Sequence, residues 1–453
     1  MAIRDAVLAL LACLPVAACA QMDGRESAAA PAGSEAAAAA GERTVHGITI
    51  APPVGDLREE CGKRRRALAA ALGSSGPGVV WIEAPDGANL ERFFQDDDVY
   101  YLTGLELPDI ELALVVGEGG ALVDEVLFLP AHDDNFEIWN GKRLSPGAEA
   151  EAATGVRHTA LMTPREQAAG TPAAGDEARL LAGWAPATIW VRGPARVELP
   201  AAATVDDTHA ELALAALRLT KSAYEIGCLK AAIDITCASL LQAASAVAPG
   251  AFEYEPWGAL EGSFLKLGAE RPGFASIFGS GPNSCSLHYN ANRRQMQDGE
   301  LIVMDVGCKY RYYCADVTRT VPVNGRFSKR QREVYDLVLK AQTAAFEAAK
   351  PGVTMKELDT LARQVIDEGG FGPGRKYFKH GLGHWIGLDV HDVGGSRPIQ
   401  PGMLFTIEPG IYIAEENLGV RIEDDYLMTE HGAVKLSDGV PSEPGAIEAL
   451  LRR

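Results

Sequence analysis

Two aspartates, Asp305 and Asp316, stand eleven positions apart in IVMDVGCKYRYYCADVTRT (302–320). Leu301 to Met304 forms a strand-like run before the first, and Val317 to Val321 another after the second. Gly307 to Tyr313 can turn the chain between them, so a hairpin would bring both carboxylates to one place. Two carboxylates that close repel unless protons or cations separate them. Three more polar residues interrupt apolar or glycine-rich stretches: His384 in HGLGHWIG, Glu408 in LFTIEPG and Glu423 in GVRIEDD. Taken singly, each has a plain reading. An aspartate beside a turn caps it, a lone histidine is a satisfied polar residue, and Glu423 belongs to a solvated acidic run with Asp424 and Asp425. Taken as a set, four carboxylates and one imidazole suit a pair of divalent cations, with manganese foremost and cobalt, zinc or iron(II) as alternatives. Carboxylates that bridge two ions hold them about 3.5–4 Å apart, the spacing of two-metal hydrolases.

Such a set needs elements to carry it. Ser222-Ala223-Tyr224-Glu225, Ser328-Lys329-Arg330-Gln331 and Thr354-Met355-Lys356-Glu357 are capping boxes, each predicting a helix. Those helices should stop at Pro249-Gly250, Pro351-Gly352 and Gly369-Gly370. Glu255 to Leu267 reads as another. The order is helix pair, hairpin, helix pair and then strands, an α+β arrangement with an antiparallel sheet under helices. It would occupy residues 206–453. Upstream, Arg58 to Leu72 reads as a helix stopped by Gly73. Strands are expected at Val79–Ile82, Val99–Leu102, Leu112–Val116, Val126–Leu129 and Thr188–Val191, giving an α/β domain over 47–205.

The N-terminus reads as a signal for export. Arg4 is followed by an apolar run, Ala6 to Ala18, too short to span a bilayer. Val16-Ala17-Ala18-Cys19 looks like a lipobox, predicting a lipid anchor on Cys19 of a periplasmic lipoprotein; Ala18-Cys19-Ala20 also fits ordinary cleavage. Residues 20–46 hold almost no large apolar side chain and read as a tether. Net charge is −19, from 42 basic and 61 acidic residues, which excludes nucleic acid as a partner. No CxxC pair exists, so a zinc ribbon is not expected. Cys308 and Cys314 flank the hairpin turn and could pair across it or stay free thiols.

The second region resembles the pita-bread metallopeptidases, a family that includes methionine aminopeptidase, prolidase and aminopeptidase P. The resemblance to aminopeptidase P rests on SLHYNAN (286–292), MDVGCKYRYYCADVTRTVPVNGRF (304–327), HGLGHWIGLDVHDVG (380–394), TIEPGIYI (406–413) and VRIEDD (420–425). It extends upstream through FFQDDDVYYLTG (93–104) and EIWNGKRL (137–144). It implies that Asp305 ligates one metal, that Asp316 and Glu423 bridge both, and that His384 and Glu408 complete the other. A hydroxide bridging the metals would attack the peptide bond before a proline in second position, with Glu408 relaying its proton. His288 and His391 would steady the substrate and the tetrahedral intermediate, while His380, Tyr412 and Arg421 line the proline pocket. Tyr100 matches an aromatic residue that the first domain offers to an active site, its own or a neighbour's. Relatives form dimers or tetramers, so a homo-oligomer is expected. The competing readings are a prolidase, which cleaves only dipeptides, and a non-catalytic peptide-binding module of the same fold. The second is disfavoured because all five ligands are present.

Overall fold

The three capping boxes form as their spacing predicts. In each, the serine or threonine oxygen accepts from the backbone N–H three residues on, and the glutamate or glutamine reaches back. The computed structural model describes residues 41–85, 93–162, 176–194, 197–373 and 375–452. The export signal, Cys19 and nearly all of the tether lie outside the described residues.

The first domain is built on a six-stranded mixed sheet. Its strands are β1 (Gly78–Glu83), β2 (Glu111–Val116), β3 (Leu122–Leu129), β4 (His158–Leu161), β5 (Thr188–Arg192) and β6 (Thr204–Asp206). They lie in the order β4-β3-β2-β1-β5-β6. Helix α1 (Leu57–Leu72) packs on this sheet and ends at Gly73. The strand expected at Val99–Leu102 is instead helix α2 (Asp97–Thr103). Its β-branched and aromatic residues suggest a strand, but the caps decide. Asp96 accepts from the N–H groups of Asp98 and Val99, and Gly104 closes the C-terminus in the left-handed region, at φ 70°. Helix α3 (Thr208–Leu219), which follows the boundary expected at residue 205, packs on α1 and β5.

The second domain repeats one theme. Helices α4 (Ala223–Ala244) and α5 (Tyr254–Leu267) precede the antiparallel sheet β7 (Ile277–Ser280), β8 (Leu301–Val306) and β11 (Val317–Pro322). Two short strands, β9 (Cys308–Tyr310) and β10 (Tyr313–Cys314), prolong the β8–β11 hairpin into its tip. Helices α6 (Lys329–Ala348) and α7 (Met355–Ile366) then precede β12 (Leu404–Ile407), β13 (Gly410–Ile413), β14 (Leu418–Arg421), β15 (Asp424–Thr429) and β16 (Gly432–Lys435). Most of the buried apolar side chains, from both domains, belong to one cluster. The tip of the hairpin turns through Arg311 and Tyr312, both at positive φ, and is inserted against the first domain. Tyr312 stacks on Tyr100 at 3.9 Å, and the Arg64 guanidinium donates to the Tyr313 hydroxyl at 2.9 Å.

Candidate active site

The hairpin delivers its two aspartates through strand register. Asp305 lies opposite Thr318, so Asp316 is its diagonal neighbour two residues away on the same face. Gly307, at the break between β8 and β9, has no room for a side chain. A Cβ there would sit 1.7 Å from the Ala315 carbonyl oxygen. The two glutamates come from the other half. Glu408–Pro409 interrupts β12 and β13, and Ile422–Glu423 interrupts the facing pair β14 and β15. The Glu423 N–H donates to the Thr318 carbonyl at 3.1 Å and the Glu408 N–H to that of Leu382 at 2.7 Å, so both glutamates leave the ladder and aim inward.

His384 meets them at the centre. Its Nδ1 lies 3.0 Å from the Trp385 carbonyl, a contact that requires Nδ1–H and leaves the Nε2 lone pair free. That Nε2 is 3.5 Å from Asp316, 3.5 Å from Glu408 and 4.0 Å from Glu423. One ligand atom each from Asp316, His384 and Glu423 lies within 4.8 Å of the others. Asp305 Oδ1, Asp316 Oδ1 and Glu423 Oε1 are buried and accept no hydrogen bond, whereas buried polar atoms nearly always find a partner. Orphaned carboxylate oxygens on Asp305, Asp316 and Glu423, lining one cavity with the His384 imidazole, fit the divalent cations expected there.

The electrostatics agree. Burial pushes the Asp316 carboxyl well above its usual range, and Asp305, Asp425 and Glu408 push it further. Glu423 is raised in the same way by burial and by Asp316. Glu408 rises to about 7, mainly through burial, although His384 and Arg421 oppose the shift. Cations would reverse this pressure.

A cavity of about 530 Å³ opens over these groups. It is lined by nine of the residues singled out in the sequence: Asp305, Asp316, His384, Glu408, Glu423, His288, His391, His380 and Arg421. Tyr412 sits behind the wall, 1% exposed, and ties two of them together. Arg421 donates to the Tyr412 hydroxyl at 2.9 Å, and that hydroxyl is 2.8 Å from His380 Nε2. The remaining His380 nitrogen faces the Gly381 carbonyl at 2.8 Å. The chain of donors therefore runs Arg421, Tyr412, His380, Gly381, with the imidazole neutral. Burial and the nearby Arg421 push its pKa down to about 3. Arg421 also donates to Asp305 Oδ2 at 2.5 Å, fixing that carboxylate. Tyr100 is 6% exposed and stacked on Tyr312, so within one chain it stands outside the lining of this cavity.

Four supporting residues escaped the sequence reading. Thr318 donates to Glu423 at 2.7 Å and accepts from Arg421 at 3.3 Å. Asp425 accepts from the Asp316 N–H at 3.1 Å, and burial raises its carboxyl to about 8. Arg319 and Asp424 form a buried ion pair at 2.7 Å behind the site. The alternation Asp316, Thr318 marks Thr318 as facing the same side, a signal that was available.

Fold and site together define a two-domain metallopeptidase whose candidate cation ligands come from both halves of the second domain. Family models agree: residues 227–430 match "Metallopeptidase family M24" and residues 62–172 match "Aminopeptidase P, N-terminal domain". The chain is 35% identical over 434 residues to Xaa-Pro aminopeptidase of Escherichia coli K12, covering 87% of this chain and 98% of that one. The structure of E. coli aminopeptidase P with the inhibitor Pro-Leu superposes with a TM-score of 0.77 at 32% identity, over 87% of this chain and 98% of that one. Xaa-Pro dipeptidase of Pyrococcus furiosus is 41% identical, but over 226 residues, 49% of this chain and 64% of that one. This chain belongs to the aminopeptidase P family of M24 metallopeptidases.

Proposed function

We propose that this protein removes the N-terminal residue from peptides with proline in second position. The observation that carries the reading is that Asp305, Asp316 and Glu423 each keep an orphaned oxygen beside a cavity that His384 also lines, in a chain whose match covers 98% of the length of an Xaa-Pro aminopeptidase. Asp305, Asp316, His384, Glu408 and Glu423 are the ligands we assign to two divalent cations, with manganese as the working metal because the donor set is mostly carboxylate. Bound there, the cations would supply an acidic water and polarise the scissile carbonyl.

The protein's own groups would do the rest. Arg421 holds Asp305 in one orientation, and Thr318 does the same for Glu423. Glu408 can take a proton at Oε1 or Oε2 and hand it to the departing proline nitrogen. That nitrogen lacks an N–H, so no hydrogen bond to it is needed in the ground state. His288 and His391 face the same cavity and can donate to the carbonyl oxygen as charge develops on it. Neutral His380 and Arg421 form the wall assigned to proline. We further propose export through the N-terminal signal to the periplasm, anchoring through Cys19, and a homo-oligomer.

The deciding experiment is release of the first residue from Xaa-Pro-Yaa, Xaa-Pro and Xaa-Ala-Yaa peptides after loading with manganese, cobalt or zinc. Cleavage of the tripeptide with proline, and not of the alanine analogue, is expected. Silence on every Xaa-Pro peptide with every metal overturns the reading, and cleavage of the dipeptide alone makes it a prolidase.

A further inference from the structure

A second cluster of buried charge lies away from the cations' ligands, where the two domains meet. Arg218, in the last turn of α3, is its centre. Its guanidinium donates to Asp98 Oδ1 at 2.8 Å, to Asp392 Oδ1 at 2.7 Å and to Asp97 Oδ2 at 3.3 Å. Lys221 holds the other oxygen of Asp392 at 3.0 Å. Asp98 is held again by Arg192 at 2.7 Å, and Asp97 faces Lys309 on the hairpin at 3.6 Å. The Arg218, Asp98, Lys221 and Asp392 side chains are 1–6% exposed. Charges so deep must be paired to be tolerated, so their geometry is tightly set.

The partners belong to different bodies. Asp97 and Asp98 begin α2 of the first domain. Asp392 follows His391, whose ring lies 4.2 Å from that of His384 at the rim of the cavity. His391 is exposed and Asp392 buried, so the carboxylate is the inward anchor of the residue that faces substrate. The segment folds around that anchor. The Asp392 N–H donates to the Trp385 carbonyl at 2.9 Å, and a Cβ on Gly387 would meet Asp392 Oδ2 at 2.0 Å. Cys314, on the hairpin, donates its N–H to the Gly387 carbonyl at 2.7 Å.

We propose that Arg218 and Asp392 are positioning residues for the hydrolysis: through them the first domain sets the place of His391. The inference rests on the functional reading above. Arginine suits the task because its fork reaches carboxylates on two bodies at once, which a lysine ammonium cannot reproduce.

Asp392→Asn and Arg218→Lys test this, since both keep the approximate shape. Rates on a Xaa-Pro-Yaa peptide are measured well below each variant's unfolding temperature, with bound manganese quantified. Expected are a fall in kcat of about 10- to 100-fold, KM within about threefold, and unchanged metal content. In a His391→Ala background, either change should alter kcat by less than about twofold, because the residue acted upon is gone. Hydrogen exchange supplies a reading that needs no activity: amides of 385–395 should exchange faster in both variants, and those of 301–306 should not. Unchanged exchange, full kcat, or an equal loss in the His391→Ala background overturns the proposal. A wild type inactive on all Xaa-Pro peptides overturns the functional reading instead, while the exchange experiment still decides this one.

Discussion

At the scale of single residues, the site is a concentration of negative charge that the protein does not neutralise alone. Arg421 offsets Asp305, but Asp316 and Glu423 each keep an oxygen with no donor. Asp316→Asn should therefore abolish activity while leaving the unfolding temperature equal or higher, because it relieves repulsion in the metal-free protein. The loss should exceed the about 10- to 100-fold typical of residues that merely support a ligand. Activity, metal content and calorimetry on one preparation check this; a near-wild-type rate would refute the bridging assignment. Cation removal gives the complement. Chelation should end activity, and manganese at 100 times its dissociation constant should restore it and stabilise the fold by about 2.7 kcal/mol. The five residues proposed as ligands were legible because each interrupts an apolar or glycine-rich stretch where a charge has no other use. Thr318 and Asp425 were passed over because threonine in a strand and aspartate in an acidic run are ordinary.

At the scale of elements, the hairpin sets the separation of Asp305 and Asp316, and Gly307 lets its strands close. Gly307→Ala places a Cβ 1.7 Å from the Ala315 oxygen, so the strands must part. The change should cost about 2–4 kcal/mol and weaken manganese binding, measured by titration calorimetry; unaltered affinity would show that spacing does not depend on this contact. Register also answers the question left open for the cysteines. Lys309, not Cys308, lies opposite Cys314, so the two thiols occupy opposite faces. Cys308 Sγ is 3.3 Å from the Ala232 carbonyl and Cys314 Sγ is 3.4 Å from that of Leu388. Both should react as free thiols in denatured, unreduced protein, and mass spectrometry of the alkylated peptides checks it. Capping boxes made the long helices readable, whereas α2, a helix of seven residues, was misread because its composition outweighed its caps.

At the scale of the whole molecule, the domains are joined by buried polar groups rather than by a greasy seam alone. Arg64, Tyr313 and Glu225 form one such junction, and Arg218 with Asp392 the other. Despite burial, Lys221 and Arg218 hold the Asp392 carboxyl below its usual range. A carboxyl depressed in the fold is protonated more readily when unfolded, so its contribution is complete above about pH 4 and fades as pH falls through the folded value. Asp392→Asn should therefore flatten the acid side of the plot of unfolding temperature against pH. An unchanged acid limb would mean that Asp392 is not held by this network. The same junction holds Tyr100 against the hairpin tip, stacked on Tyr312.

The sequence by itself determined the long helices, the hairpin and the five residues proposed as ligands, because these depend on residue type, local spacing and caps, which are short-range properties. Tertiary structure decided which residues stand behind the ligands. Thr318, Asp425, Tyr412 and the Arg218–Asp392 pair act through partners as many as 174 positions away, and no local pattern encodes such a distance. It also decided where α3 sits, since that helix takes its place from packing on α1 and β5.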